Sequence, residues 1–323
     1  MSQTRILSVN AGALPLVAEL RARAQELKVA VSTGAAGETL IDAGASVTGS
    51  LEAGRLVTEI CLGGYGTVAI HPSERLPRWP FALTVRTSNP VIACMGSQYA
   101  GWQLTSAEDE ESYFAMGSGP ARALAGKEGL FKDIAYADQS ETATLVLEAA
   151  SPPPEALVRR IAHDCDIAPE QLTIVFTPTQ SLAGSVQIVG RVVEVALHKA
   201  HELHFDMSAI VEGIGTAPLA PPHPDFLTAM GRTNDAVIYG GRVLLAVTGP
   251  AEAARALAEK LPSSTSADYG KPFKEIFSRY DGDFYKIDGT LFSPAEVQVV
   301  ALETGETFSA GKVDAELIDA SFG

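Results

Sequence analysis

Residues 181–204 read SLAGSVQIVGRVVEVALHKAHELH, and how this run folds decides the architecture. Leu182, Val186, Ile188, Val189, Val192, Val193, Val195 and Leu197 set apolar side chains nearly all the way round a helix, the pattern of a buried helix rather than a surface one. About 20 helical residues would span roughly 30 Å, enough to cross a domain. Valine and isoleucine also favour strands, where a spacing of three would put Arg191 and Glu194 on opposite faces. The length of the run favours the helix. Gln187, Arg191, Glu194, His198 and His201 then follow at steps of four, three, four and three and line one stripe.

A buried carboxylate costs several kcal/mol unless it is paired, and Arg191 stands one turn from Glu194. At about 4 Å and an effective dielectric near 20, their attraction is on the order of 4 kcal/mol, set against that penalty. The pair is therefore weaker evidence of stability than of use. A solvated ion pair is the plainer alternative, and the surrounding valines count against it. His198, His201 and His204 form H-x-x-H-x-x-H, which a metal-dependent hydrolase could use. Steps of three carry the third imidazole off the face of the first, and imidazoles are also favourable at a helix C-terminus.

Upstream, ILSVNAGALPLVAELRARAQELK reads as a first helix after Arg5, in preference to a signal peptide. Strands are predicted at KVAVSTG and ETLIDAG around a Gly-rich turn, then at GTVAIHP, FALTVRT, PVIACMG, TATLVLEA and QLTIVFTPT. Helices are predicted over 49–60 and from Pro152–Pro154 to His163. The phrase Met-Gly-Ser occurs at 95–97 and again at 116–118, each time closing an apolar strand-like run. The second copy, GSGPARAL, reads as a strand-to-helix turn with Ser118 as N-cap and Pro120 at the first helical position. It is either a seat for an anion or a purely structural tight turn; it has neither a Walker pattern nor a dinucleotide fingerprint.

Downstream the texture changes. GIGTAPLAPPHPD (213–225) is too rich in Gly and Pro for a helix or a central strand, and ends at a helix start near Asp225. GRTNDAVIYGGRVLLAVTG offers a polar Thr233-Asn234-Asp235 loop and two short strands about Gly240-Gly241. A helix over 250–260, turns at Asp281-Gly282 and Asp288-Gly289, one more strand and a polar tail complete the chain. This alternation predicts an α/β (α+β) protein of two domains, with mixed sheets, helices packed on them and a ligand cleft between the domains. The composition shift near 205 sets the domains at 1–205, carrying the Arg191/Glu194 helix, and 206–323.

The 323 residues are 46% hydrophobic and 20% charged, an ordinary globular composition. A formal charge of −15 and a pI near 4.8 argue against a nucleic-acid partner and would draw in a cationic substrate. Cys61, Cys94 and Cys165 are scattered, as expected of reduced thiols in a cytoplasm, and no Cys-x-x-Cys suggests zinc. No uncharged apolar run of about 18 residues or more predicts a membrane span.

MGSQYAGWQ (95–103), AMGSGPARALA (115–125), GRVVEVALHKAHEL (190–203), GTAPLAPPHPDFLTAMGRTNDAVIYGG (215–241) and DYGKPFKEIFSRYDGDFYKIDGTLFSPAEV (268–297) resemble the methenyltetrahydromethanopterin cyclohydrolase family of methanogenic archaea and methylotrophic bacteria. The resemblance runs through nearly the whole chain in order. It implies hydrolysis of 5,10-methenyltetrahydromethanopterin to the 5-formyl derivative without metal or redox cofactor, in a two-domain α/β fold assembled as a homotrimer. The family's catalytic arginine and glutamate match Arg191 and Glu194. In that reading Glu194 activates water, while Arg191 positions the carboxylate and keeps it ionised. Ser97, Gln98, Ser118, Asn234, Asp235 and Lys271 are the expected pterin contacts, from loop position and family phrase. The rival classes are a metal-dependent hydrolase using His198 and His201, and a non-catalytic pterin-binding protein.

Overall fold

The structure, a computed structural model, describes residues 7–106 and 112–323. Arg5 and Ile6, taken with the predicted first helix, lie outside the described residues. Among the described residues twelve strands follow in chain order: β1 Ala30–Thr33, β2 Thr39–Asp42, β3 Thr67–Pro72, β4 Phe81–Thr87, β5 Trp102–Thr105 and β6 Phe114–Ser118. They continue as β7 Ala143–Leu147, β8 Leu172–Phe176, β9 Ile210–Pro218, β10 Arg242–Val247, β11 Glu296–Ala301 and β12 Thr307–Gly311. They form two mixed six-stranded sheets carrying helices, the expected class. By contacts the chain divides into one unit of the chain up to Gly66 with Ile92–Gly184, and a second of Thr67–Val91 with Ser185–Gly323. This division is discontinuous and assigns the Arg191/Glu194 helix to the second unit, whereas the division drawn at 205 kept it with the first 205 residues. The reason is strand pairing: β4, early in the chain, hydrogen-bonds to β9, late in it.

In the first unit the order is β1-β2-β8-β7-β6-β5, with β2, β8 and β7 parallel. A strand covered on both faces has no polar alternation, which is why β7 reads ATLVL. Leu145, Leu147, Ile174 and Phe176 turn to one side, against Leu157, Val158 and Ile161 of the helix Glu155–Asp164. Val146, Val175 and Ile41 turn to the other, against the helices Val9–Ala22 and Leu51–Cys61. Those two helices begin where Ser8 and Ser50 accept the amides of Ala11 (3.1 Å) and Ala53 (3.0 Å). PVIACMG, predicted as a strand, is instead part of an eight-residue π-helix, Val91–Gln98. A short apolar run does not tell strand from buried helix, and here Arg122 supplies donors to the carbonyls of the last turn.

In the second unit the order is β12-β11-β10-β9-β4-β3, antiparallel except for β10 with β11. The predicted central helix is two helices, Leu182–Val189 and Val192–Glu202, parted at Gly190-Arg191. At the break Arg191 has φ −85° and ψ 5°, and its amide donates to Ile188 O at 3.0 Å. The Gly-rich stretch judged unfit for a central strand begins inside β9, which pairs on both sides. Its glycines are what the packing requires. The second helix lies on β9, and a Cβ on Gly215 would stand 2.8 Å from both Val192 Cγ1 and Val193 Cγ2.

Thr233-Asn234-Asp235 is not a loop but part of the helix Phe226–Ile238, begun at Asp225 as predicted, with one strand (β10) following. The polar tail is a helix, Ala315–Phe322, capped by Asp314 and burying Ile318 and Phe322. Among the described residues no helix is long and apolar enough to cross a membrane.

Candidate active site

Arg191 is the N-cap residue of the helix Val192–Glu202, and Glu194 lies in its first turn. A carboxylate there faces the positive end of the helix dipole, a favourable place for its charge. Val192 and Val193, between the two charges, are fully buried over Gly213 and Gly215, so the helix is pressed on the sheet where the pair emerges. Arg191 Nε lies 3.4 Å from Glu194 Oε2, with the side chains only 13% and 4% exposed. The solvated-pair alternative is thereby set aside: this is a largely desolvated ion pair, which is conspicuous because water is not there to screen it. Further along the helix His198 and His201 are half-buried and His204 is exposed, with φ +58° at the chain turn. Among the described residues no three His, Cys, Asp or Glu side chains group as metal ligands would.

The two Met-Gly-Ser phrases come together in the first unit. Ser118 Oγ donates to Gln98 O at 2.6 Å, and the Gly119 amide donates to Ser97 O at 2.9 Å. Ser97, Gln98 and Ser118 are all buried. With the Gly119 amide and the Ser118 hydroxyl engaged on carbonyls, and only five residues (Ala121–Ala125) in the helix that follows, the tight-turn alternative describes GSGPARAL. Arg122, which the sequence reading passed over, completes the turn. It is fully buried, its Nη1 donates to Ser97 O (2.9 Å) and Met95 O (3.3 Å), and its Nε and Nη2 pair with Glu128 at 2.8 and 2.6 Å.

In the second unit Asn234 Nδ2 donates to Met230 O at 2.8 Å, one turn back on its own helix. Asp235 is fully buried, and its Oδ1 accepts the Phe273 amide at 2.9 Å. Tyr239, one turn on, donates its hydroxyl to Lys271 O and accepts the amides of Gly270 (3.3 Å) and Lys271 (3.2 Å). The Lys271 side chain itself is exposed, with Nζ 3.7 Å from Glu275. Asp235 and Lys271, predicted together, are thus linked through the backbone of one segment. Lys199, also passed over, is almost fully buried on the helix of Glu194. A single basic residue in an amphipathic stretch carries no mark that separates a buried ammonium from a solvated one, so neither Arg122 nor Lys199 was open to discovery by pattern.

A helix-borne, desolvated Arg–Glu pair on a two-sheet α/β scaffold can serve acid–base chemistry, and the class it fits is that of the hydrolases. The chain matches the family described as Cyclohydrolase (MCH) over residues 8–322, and it belongs to that family. It is 55% identical over 315 residues to the methenyltetrahydromethanopterin cyclohydrolase of Methylobacterium organophilum, covering 98% of this chain and 97% of that protein. The enzyme of that name from Methylosinus trichosporium is 62% identical over 264 residues, 82% of this chain and all of the relative. The archaeal one from Methanothermobacter marburgensis is 44% identical over 323 residues, covering 98% of this chain and 100% of its own length.

Proposed function

We propose that this enzyme hydrolyses 5,10-methenyltetrahydromethanopterin to the 5-formyl derivative, with Glu194 as general base and Arg191 as the group that positions it. The desolvated Arg191–Glu194 contact, 3.4 Å in a chain of the cyclohydrolase family, carries the reading. The methenyl carbon bridges two nitrogens that share a positive charge, so it is already electrophilic; what it lacks is a deprotonated water. Glu194 takes a proton from water as the oxygen bonds to that carbon, giving a neutral carbinolamine. The same proton then goes to N10 as the carbon–N10 bond breaks, and the carbinol hydroxyl releases its proton to solvent as the formyl carbonyl forms. One water is consumed and one proton released. Help of this kind is worth about 10²–10⁴-fold in rate. Arg191 restricts the carboxylate to the orientation that meets the water, since a carboxylate near a cationic substrate gains rate only from contacts that tighten at the transition state.

Ser97, Gln98, Ser118, Asn234, Asp235 and Lys271 remain the proposed pterin contacts. The exposed ammonium of Lys271 supports a direct contact, and the anchoring of its segment by Asp235 supports a supporting one. We also read the enzyme as working without metal or redox cofactor, as a homotrimer, in the cytoplasm. The free, buried thiols of Cys61, Cys94 and Cys165 support a reducing compartment.

Decay of the methenyl absorbance tests the chemistry. Wild-type enzyme is expected to accelerate it over the spontaneous rate equally with and without EDTA. Glu194→Gln is expected to lose about 10²–10⁴-fold in kcat while still binding substrate. A kcat near wild type in Glu194→Gln removes Glu194 from the mechanism, and loss of activity to EDTA with recovery on adding metal selects the metal-dependent class instead.

A further inference from the structure

The helix Val192–Glu202 carries a second charge that the chemistry above does not use. Lys199 is 2% exposed, and its ammonium donates to three oxygens: Pro262 O at 2.8 Å, Thr265 Oγ1 at 2.9 Å and Thr290 O at 2.7 Å. An ammonium has three protons to donate, so the group is fully satisfied where it lies. Pro262 and Thr290 stand at the two ends of one excursion of the chain. Its neck is closed by Ser263 N donating to Pro294 O (2.9 Å) and Ser293 Oγ donating to Leu261 O (2.6 Å). Lys271 lies inside that excursion, held there through Tyr239.

Lys199 is five residues beyond Glu194, about 7.5 Å along the axis and 140° around it at helical geometry. Valines 192 and 193 fix the start of the helix against Gly213 and Gly215. The ammonium fixes its middle against the neck of the excursion. Two attachments about 10.5 Å apart along the axis, at Val192 and Lys199, determine both the translation and the rotation of a helix, and hence where its first-turn carboxylate points. A buried ammonium is an expensive way to pin a helix, because desolvation opposes the charge and here lowers the lysine to about 8, Asp288 acting the other way. Leucine or methionine would pack at less cost but would fix no register.

We propose that Lys199 is a positioning residue for the hydrolysis: it locks the rotation of the helix on the 262–290 excursion and so aims the Glu194 carboxylate at the reacting water. This rests on Glu194 acting as the base. A misplacement of about 1 Å can cost 10²-fold in rate. Lys199→Met, which keeps the length and removes the donors, is therefore expected to lower kcat by about 10- to 100-fold, measured well below its Tm. Lys199→Arg, which retains a buried donor, is expected to recover part of that loss.

The deciding measurement is the same substitution made in Glu194→Gln. If Lys199 acts through the carboxylate, Lys199→Met leaves the residual rate of Glu194→Gln unchanged, since the group it aims is gone. An equal fold-loss in both backgrounds, or a lowered Tm with wild-type kcat, overturns the proposal. Should Lys199→Met not fold, Thr265→Val removes one acceptor and decides the matter: a several-fold fall in kcat that vanishes in the Glu194→Gln background supports the proposal, and an unchanged kcat overturns it. If Glu194→Gln alone keeps wild-type kcat, the reading of Glu194 fails first. If that variant is inactive while Lys199→Met is not, only the role given to Lys199 fails.

Discussion

Asp235 has no accessible surface, and burial pushes its carboxyl up from 3.8 to about 7 against the opposing pulls of the Ser321 hydroxyl and the Phe273 amide. A folded-state value above the unfolded one means the native state holds the proton more tightly. Its stabilising contribution is complete below the unfolded value and is lost as the pH rises through about 7. Each unit of difference is worth about 1.4 kcal/mol, so a few kcal/mol is the scale. Asp235→Asn keeps an oxygen for the Phe273 amide and removes the titration. Its Tm relative to wild type is expected to be higher at pH 8 than at pH 5, and a Tm difference that is flat across that range contradicts the assignment. Residues such as Arg191 and Glu194 were legible in the sequence because a charge pair amid valines breaks an apolar pattern. Asp235 stands out in the sequence only as part of a polar loop, because Thr-Asn-Asp favours turns by local hydrogen bonding, and in the fold the helix begun at Asp225 overrides that preference.

Among elements, β9 and the helix Val192–Glu202 depend on each other. Gly213 and Gly215 leave the troughs that receive Val192 and Val193. Gly215→Ala puts a Cβ 2.8 Å from both valine methyls, closer than real contacts allow, so the helix must shift. Overpacking of this kind costs about 1–3 kcal/mol, and the shift displaces Arg191 and Glu194 with it. A lowered Tm and a lowered kcat are expected together. Val193→Ala in the same chain removes one of the two clashes and should restore part of both, and failure of that partial rescue would show the glycine acting otherwise. The strands with clear apolar runs and the helices with clear caps were readable in advance. Those that were not share one cause: β9, the π-helix Val91–Gln98 and the break at Gly190-Arg191 follow from what packs against them. A glycine chosen to admit a neighbour looks, in sequence, like a glycine chosen to make a turn.

For the whole molecule, the class of two mixed sheets with packed helices was evident from the alternation of elements, but the partition was not. A change of composition marks where a chain changes style, whereas the second sheet is assembled from Thr67–Pro72 and Phe81–Thr87 together with strands that start at Ile210. A fragment beginning at residue 185 is accordingly expected to lack the partner of one edge of β9. An unpaired edge invites association with other chains, so the fragment should aggregate or stay unfolded by circular dichroism, and adding a peptide of residues 67–91 should improve its solubility. A soluble, cooperatively melting fragment without that peptide would contradict this view of the second sheet. During synthesis the hairpin β3–β4 leaves the ribosome on the order of 10 s before β9 at ordinary elongation rates. Through that interval its inner edge has nowhere native to bind, and the polypeptide must complete an entire intervening module before it can return for the strand it left behind.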